Sequence, residues 1–224
     1  MDKLIKLQIA LFFFEIETRP DRLISVVNDN LGNLFDAMPS IFPIPQEAPP
    51  EIPIVTLSDS NQRFSCSIAR SRIDFSRVIS AGEQLDETDK VITDFQKKAN
   101  LFVAAVSQAK KVVRFGFIAQ YFFRDKNPTL QITRKYLKPD LGPLEEITLR
   151  YNKKKDQFGY SLNDIYEITA AKEMDGGELR DGVFVQRDLN NAIASESLTK
   201  ENILSIIDKN MQSFQVEKTK ELVK

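Results

Sequence analysis

The 224-residue sequence contains no histidine, and this absence excludes several kinds of chemistry. Histidine is the commonest general base, the usual partner of a serine or cysteine nucleophile, and a frequent zinc ligand. An enzyme built from this chain would have to use carboxylates, lysine, tyrosine, serine or a carboxylate-bound Mg²⁺. We therefore expect a binding protein rather than an enzyme, with no cofactor and no catalytic or metal-binding residues.

Cysteine is almost as scarce, because Cys66 stands alone and no intramolecular disulfide is possible. Cys66 lies in an alternating strand pattern, which predicts a small buried side chain rather than a nucleophile. The sequence also lacks the phosphate-binding motifs GxGxxG, GxxxxGKS and GxxxxGKT.

Long hydrophobic runs are missing too, since no stretch approaches the roughly 20 apolar residues of a membrane-spanning helix. The apolar run at residues 9–14 is short, lacks a small-residue cleavage site and continues into Glu15 and Glu17. This pattern favours a strand over a signal peptide. The formal net charge is −1, so no global basic field attracts nucleic acid or anionic lipid. We expect a cytoplasmic protein without a membrane partner.

Phenylalanine dominates the aromatic residues, with sixteen copies against five tyrosines and no tryptophan, and it is the expected core filler. Residues 110–124, KKVVRFGFIAQYFFR, carry apolar side chains on both sides of an extended chain, which is typical of a central strand. An amphipathic helix is predicted just before it, over residues 86–108. Two further helices are predicted, one over residues 18–36 and one at the C-terminus, capped near Ser197 or Thr199.

The phase of the apolar residues predicts a hairpin in residues 64–78. A turn at Arg70 and Ser71 would place Ile68 opposite Ile73 and restore one apolar face. A single strand with a bulge is the alternative.

The later half of the chain is less firmly specified. Residues 127–139 predict a short strand or one helical turn, and residues 173–178 predict a flexible acidic loop. Residues 146–151 and 158–162 predict a second hairpin, with its turn at residues 152–156.

Six of the ten prolines fall between residues 38 and 53, where they remove amide donors and fix the backbone angle φ. This segment is predicted to be extended and to belong to neither a helix nor the central sheet. It is interpreted either as a rigid connection to the next strand or as an arm that docks on a protein partner. On the second interpretation the partner-binding residues are Pro43, Pro45, Pro49 and Pro50.

Basic residues near the two predicted hairpin turns are the basis of an alternative function. They are Arg70, Arg72, Lys153, Lys154 and Lys155, with Tyr151 and Phe158 nearby. If both tips lie at one edge, they form a local basic surface for nucleic acid or a nucleotide. Lysine-rich turns are also a common device for solubility.

Polar residues occur inside the predicted strands as well, namely Arg72, Asp74, Arg114, Gln120, Arg150 and Glu167. They either line a cavity or groove, or form the solvated face of a sheet that helices cover on its other side. A third function, a carboxylate- and Mg²⁺-dependent enzyme, would depend on Glu145, Glu146, Asp175, Glu178 and Asp181.

The strand that follows the long helix carries a resemblance to a known family. The segment from Arg114 to Tyr121, RFGFIAQY, is similar to the R-x-G-L-R-Y-x-N strand of an uncharacterised, sporadically distributed bacterial family. Arg114 and Gly116 match that pattern, whereas residues 119–121 depart from it. The resemblance covers about the first two thirds of the chain. It implies an α+β fold and no catalytic residues.

These patterns together predict an α+β fold, with a curved, mainly antiparallel sheet, two amphipathic helices on one face and a C-terminal helix. Residues 1–126 form the predicted strand-helix-hairpin-helix-strand core, and residues 127–224 add the later hairpins and the last helix to the same domain. The predicted function is non-enzymatic protein–protein interaction or assembly in a bacterial cytoplasmic system. The partner is a protein or a second copy of the chain, with nucleic acid as the alternative.

Overall fold

The computed structural model describes residues 2–45, 47–80, 88–137, 141–192 and 198–224. Within these ranges the chain forms nine strands. They are β1 (Lys3–Phe13), β2 (Ser40–Ile41), β3 (Val55–Ser58), β4 (Phe64–Ile68), β5 (Arg72–Val78), β6 (Val112–Arg124), β7 (Thr148–Gln157), β8 (Tyr160–Asp175) and β9 (Glu178–Asn191).

The strands form one open antiparallel sheet in the order β2-β3-β4-β5-β1-β6-β9-β8-β7. The predicted central strand is confirmed, since β6 pairs with β1 on one side and with β9 on the other. The first predicted hairpin is confirmed in its register, because Ile68 pairs with Ile73 and Cys66 pairs with Phe75. The strands β2 and β7 are the two edges of the sheet.

The helices in the described ranges lie on one face of this sheet. They are α1 (Leu23–Asn30), α2 (Thr88–Ala109), α3 (Pro128–Tyr136), α4 (Lys200–Met211) and α5 (Val216–Lys220). The opposite face, which we call the open face, is covered by none of them. The predicted α+β fold, with amphipathic helices on one face of an antiparallel sheet and a C-terminal helix, is confirmed.

Phenylalanine fills the core between the sheet and the helices, as the composition predicts. The Phe75 ring from β5 stacks on Phe95 and Phe102 of α2, with ring centroids 5.3 and 5.4 Å apart. The Phe117 ring from β6 makes an edge contact with Phe214 at 4.6 Å. These contacts tie the middle strands to both the long helix and the C-terminal segment.

Cys66 is fully buried in β4, and burial raises the pKa of its thiol well above the ordinary value. A thiol that stays protonated is a poor nucleophile. The interpretation of Cys66 as a small core residue agrees with this position.

Two elements near the N-terminus are shorter than predicted. The first strand, which the sequence predicts over residues 3–17, ends at Phe13, and the helix expected over residues 18–36 is only the eight-residue α1, preceded by a 3₁₀ turn at Pro20–Arg22. Gly32 and Asn33 have left-handed φ angles of 67° and 58°, which end the helix one turn before the apolar pattern ends.

The second predicted hairpin exists, but its turn lies elsewhere. Strand β7 continues through the lysine run, and the two-residue turn is formed by Phe158 and Gly159, whose φ angles are 52° and 80°. A turn with two positive φ angles suits the twist of the flanking strands. The predicted acidic loop at residues 173–178 is reduced to a second two-residue turn at Gly176 and Gly177.

The segment at residues 127–139 contains the nine-residue helix α3, so the prediction of a strand or a single helical turn is wrong there. Residues 138 and 139 lie outside the described residues. The C-terminal helix begins as predicted, with the Thr199 hydroxyl accepting from the Asn202 amide at 3.2 Å. The other predicted cap, Ser197, lies outside the described residues.

Candidate functional site

The proline-rich arm (residues 38–53) includes the edge strand β2, so the prediction that it belongs to neither a helix nor the central sheet is wrong at Ser40–Ile41. The arm carries a group of exposed apolar side chains. The fractional exposures are 91% for Met38, 60% for Ile41, 49% for Phe42 and 39% for Ile52. Apolar side chains that cluster on a surface commonly mark an interaction site. The arm is therefore the first candidate surface.

Backbone contacts hold the arm against the rest of the molecule. The Phe42 amide donates to the Ile54 carbonyl at 2.8 Å, on the edge of β3. Farther along, the Ser71 amide donates to the Pro50 carbonyl at 3.1 Å, and the Arg70 guanidinium donates to the Ala48 carbonyl. The tip of the β4–β5 hairpin thus fixes the second half of the arm.

The four prolines predicted to bind a partner lie in the arm after the Phe42 contact, and Pro50 makes the Ser71 contact itself. Pro43, Pro45 and Pro49 are exposed, whereas Pro50 is half-buried where its carbonyl meets Ser71. Three of the four pyrrolidine rings are therefore accessible, in an arm that has contacts to the rest of the molecule at Phe42, Ala48 and Pro50.

The basic residues predicted at two hairpin tips are not arranged as expected. Lys153, Lys154 and Lys155 lie inside strand β7, and only Arg70 lies in a turn, with Arg72 at the start of β5. Five strand spacings separate β5 from β7 in the sheet order, which is about 24 Å at about 4.8 Å per spacing. The sequence predicts a turn at these lysines because polar residues interrupt the apolar alternation of β7.

Several of these cations already interact with other groups of the protein. Arg72 binds Asp74 through two hydrogen bonds of 2.8 and 2.6 Å. Lys155 donates to Asp164 at 3.0 Å and to Asn210 at 2.8 Å. The Arg70 guanidinium is used by the arm, as described above.

The strand-borne polar residues share the open face of the sheet, as expected for the solvated side of a sheet with helices on its other face. Asp74 connects Arg72 to Gln8, whose amide donates at 2.9 Å. Gln120 donates to Gln186 of the neighbouring strand at 2.8 Å. On the same face lie Arg114, Arg150 and Glu167.

Sequence reasoning missed Asp188 and Asn190, which occupy the same face on β9. The Asn190 side-chain amide donates to Asp188 at 3.0 Å, and the Asp188 carboxylate lies beside Gly116, 3.7 Å from where a Cβ atom would stand. Burial raises the pKa of Asp188, although Asn190 and the nearby Arg114 and Arg150 oppose the shift. Alternation along β9 predicts that these residues share a face of the sheet. It does not predict the pairing of β9 with β6 that places them beside Gly116.

A buried ionic network on the helix-covered face was also missed. Arg187 and Asp164 are 4% and 5% exposed and are joined by two hydrogen bonds of 2.8 Å. Arg187 also donates to the Ser213 carbonyl at 2.6 Å and lies over the Phe214 ring. Because Lys155 joins the same carboxylate, the network connects β7, β8 and β9 to the C-terminal segment.

The acidic residues considered for a metal are not assembled into a site. Asp175 forms ion pairs with Arg124 and Arg180. Among the residues that the structure describes, no three cysteine or acidic side chains are grouped so that they could hold a metal ion. Likewise, none of the helices in the described ranges is long and apolar enough to cross a membrane.

The fold and these surfaces define an open-sheet α+β protein whose accessible features are an apolar arm, a polar open face and a basic edge strand. No protein-family model matches the chain, and no curated protein is significantly similar to it. The resemblance of the β6 strand to an uncharacterised bacterial family therefore stays a prediction.

Proposed function

We propose that the protein is a non-enzymatic interaction component of a bacterial cytoplasmic system and binds a protein partner through the proline-rich arm. The observation that carries this proposal is the group formed by Met38, Ile41, Phe42 and Ile52, all exposed on one arm. Other exposed large apolar side chains lie outside the arm, among them Leu101 on α2 and the cross-strand pair Met174 and Leu179 at the β8–β9 turn.

The fixed backbone of the arm favours this function on energetic grounds. Ordering a flexible segment on binding costs conformational entropy, and prolines reduce that cost because they restrict the free chain. Here the contacts of Arg70 and Ser71 hold the arm before any partner arrives. A partner with an apolar or aromatic groove would thus bind a preformed extended segment.

Nucleic-acid binding receives less support from the same residues. Arg70 and Arg72 already donate to groups of the protein itself, and Lys155 belongs to the buried network. Among the described residues, no contact on the open face favours a nucleobase over another ligand, and the protein-partner proposal has the stronger support.

An affinity pull-down of the intact protein from its native cytoplasm, with mass spectrometry and a nuclease-treated control, tests the proposal. The test variant combines Met38→Ser with Phe42→Ser, which removes exposed apolar surface while keeping the Phe42 backbone bond to Ile54. The matched control is Leu101→Ser on α2, an apolar side chain 52% exposed outside the arm.

We expect a stoichiometric protein partner that survives nuclease, binds the Leu101→Ser variant normally and is lost from the arm variant. Replacement of Pro43, Pro45 and Pro49 by alanine should weaken the same interaction, by about two- to fivefold for each proline, because the arm becomes more flexible. A partner that binds the arm variant as well as the wild type, or that disappears on nuclease treatment, would overturn the proposal.

A further inference from the structure

The edge strand β7 presents a long row of unpaired backbone groups. The two-residue turn at Phe158 and Gly159 makes Gln157 and Tyr160 a hydrogen-bonded pair, so every second residue of β7 counted back from Gln157 bonds to β8. The Ala170 amide donates to the Ile147 carbonyl at 3.1 Å, in the same alternation. The residues whose amide and carbonyl groups point away from the sheet are consequently Thr148, Arg150, Asn152, Lys154 and Asp156.

This row is accessible along its whole length. All five outward-pointing residues are exposed, whereas most of their neighbours in the strand are half-buried. Within the described ranges, no backbone hydrogen bond reaches these five residues from any other part of the chain. The row offers five amides and five carbonyls, enough to pair with an added strand over the full length of β7.

The side chains along the edge are predominantly basic. Arg150, Lys153 and Lys154 form no ion pair with any residue in the described ranges, and Asp156 is the one carboxylate of β7, at its far end. Lys153 lies over the Tyr151 ring at 5.5 Å and over the Tyr166 ring of β8 at 5.4 Å, so its charge lies on the helix-covered face of the β7–β8 pair. With three cations and one carboxylate among these residues, the edge carries a net positive charge.

This charge disfavours a second copy of the chain at the edge. A second β7 strand can match outward-pointing residues only with one another. An antiparallel β7–β7 pair centred on Asn152 would place Arg150 directly opposite Lys154, and one centred on Lys153 would place Lys153 opposite its own copy. Like charges directly opposite each other destabilise a strand pair, whereas opposite charges stabilise it. The edge is thus complementary to an acidic strand and not to itself.

We propose that the β7 edge binds an acidic, extended segment of another protein by strand addition. Acidic side chains at every second position of that segment lie beside Arg150 and Lys154 on the open face. The intervening side chains lie beside Tyr151, whose ring stacks on Tyr166 at 5.0 Å, so apolar residues suit those positions. This interaction uses a different surface from the proline-rich arm and does not depend on it.

Direct titration of the full-length protein with a synthetic peptide tests the proposal. The probe is a nine-residue peptide of alternating glutamate and valine, compared with the same peptide carrying lysine in place of glutamate. The key variants are Lys154→Pro, which removes an outward-pointing amide, and Lys154→Ala, which removes the same charge but keeps that amide. Thermal unfolding checks that both variants are folded, since an edge strand tolerates proline where the amide faces solvent.

We expect the glutamate peptide to bind and the lysine peptide not to bind. Lys154→Ala should weaken the affinity by about two- to fivefold, and Lys154→Pro by about tenfold or more, because only the second blocks backbone pairing. The arm variant Met38→Ser/Phe42→Ser should bind the peptide normally, which separates this proposal from the arm proposal.

Three results would overturn strand addition at this edge. One is the absence of binding by the glutamate peptide, which would indicate that the lysines only prevent the edge from pairing with another strand. Another is equal affinity of the proline and alanine variants. The third is preferential binding of a single-stranded oligonucleotide that the proline substitution does not affect.

Discussion

The two edges of the sheet differ in length and in the way they are protected. At one edge β2 pairs over only two residues, Ser40 and Ile41, and prolines follow it in the arm. At the other edge β7 is ten residues long and carries lysines. Short strands, prolines and lysines are alternative ways to keep an edge from pairing with another chain. Prolines remove the amide donors permanently, whereas lysines leave every donor in place and repel only basic partners.

This difference assigns different kinds of contact to the two edges. The β2 edge can contribute apolar side chains, such as Phe42, but little backbone pairing. The β7 edge can contribute backbone groups, and its charge selects which strand is admitted. Substitutions at each edge can show which contacts hold it and whether its backbone groups are free to pair.

The largest effect is expected at the network that supports the β7 side. Replacement of Arg187 by methionine leaves Asp164 buried without its main partner, which should lower the free energy of unfolding by about 3–5 kcal/mol. Equilibrium unfolding in urea measures this loss. Arg180→Met on the same strand is the matched control, because Arg180 is more exposed, and it should cost less than about 1 kcal/mol. Equal losses for the two variants would show that the buried pair does not hold this side of the sheet.

The Arg187 network also shows where sequence reasoning reaches its limit. Alternation predicts which residues of one strand share a face, and this was enough to pair Ile68 with Ile73. The network joins residues from three strands and the C-terminal segment. It therefore depends on how these strands align with one another, which the alternation within one strand does not specify. For the same reason, Lys155 was assigned to a turn when it in fact faces a buried carboxylate.

The proline-rich arm was recognised because it depends on composition, which is local. Its prolines follow directly from the sequence, whereas the exposure of its apolar side chains is known only from the structure. The contacts that attach the arm to the fold do not follow from the sequence, because Arg70 and Ser71 lie in a hairpin about twenty residues later in the chain. The end of α1 was missed because Gly32 and Asn33 interrupt an apolar pattern that continues beyond them.

The next largest effect is expected from proline substitution in β7, and its size should depend on whether the lost amide bonds to β8 or points outward. Lys153→Pro removes an amide that bonds to β8, and we expect it to lower the free energy of unfolding by about 2–3 kcal/mol. Lys154→Pro removes an outward-pointing amide and should cost less than about 1 kcal/mol. Urea unfolding of the two variants, each compared with the alanine substitution at the same site, gives both values. A larger loss at Lys154 would mean that its amide already has a partner in the native protein.

At the β2 edge a smaller effect is expected from Arg70→Ala. The substitution removes the hydrogen bond to the Ala48 carbonyl, which should cost about 1 kcal/mol and make the arm more susceptible to limited proteolysis. The control is Arg134→Ala on α3, an exposed arginine, with an expected change below about 0.5 kcal/mol. If proteolysis of the arm is unchanged by Arg70→Ala, the arm is held by other contacts and not by the hairpin tip.

The smallest effect concerns pH and two aspartates whose pKa values shift in opposite directions. Burial would raise the pKa of Asp164, but the hydrogen bonds and charges of Arg187 and Lys155 outweigh it and lower the pKa. The ionised Asp164 therefore stabilises the fold above the ordinary aspartate pKa, and this contribution is lost as the pH falls through the lowered value. Asp188 has the opposite sign, because its raised pKa means that ionisation destabilises the fold at neutral pH.

Replacement of Asp188 by asparagine removes that penalty while keeping an oxygen that can accept from Asn190. At pH 7 we expect the free energy of unfolding to rise by about 0.5–1 kcal/mol. The gain should shrink as the pH falls from the raised pKa toward the ordinary aspartate value, because the wild-type carboxyl becomes protonated in the folded state first. Urea unfolding of both proteins between pH 7 and pH 3.5 measures the difference. A gain that is independent of pH would show that the substitution acts through packing beside Gly116 and not through the charge of Asp188.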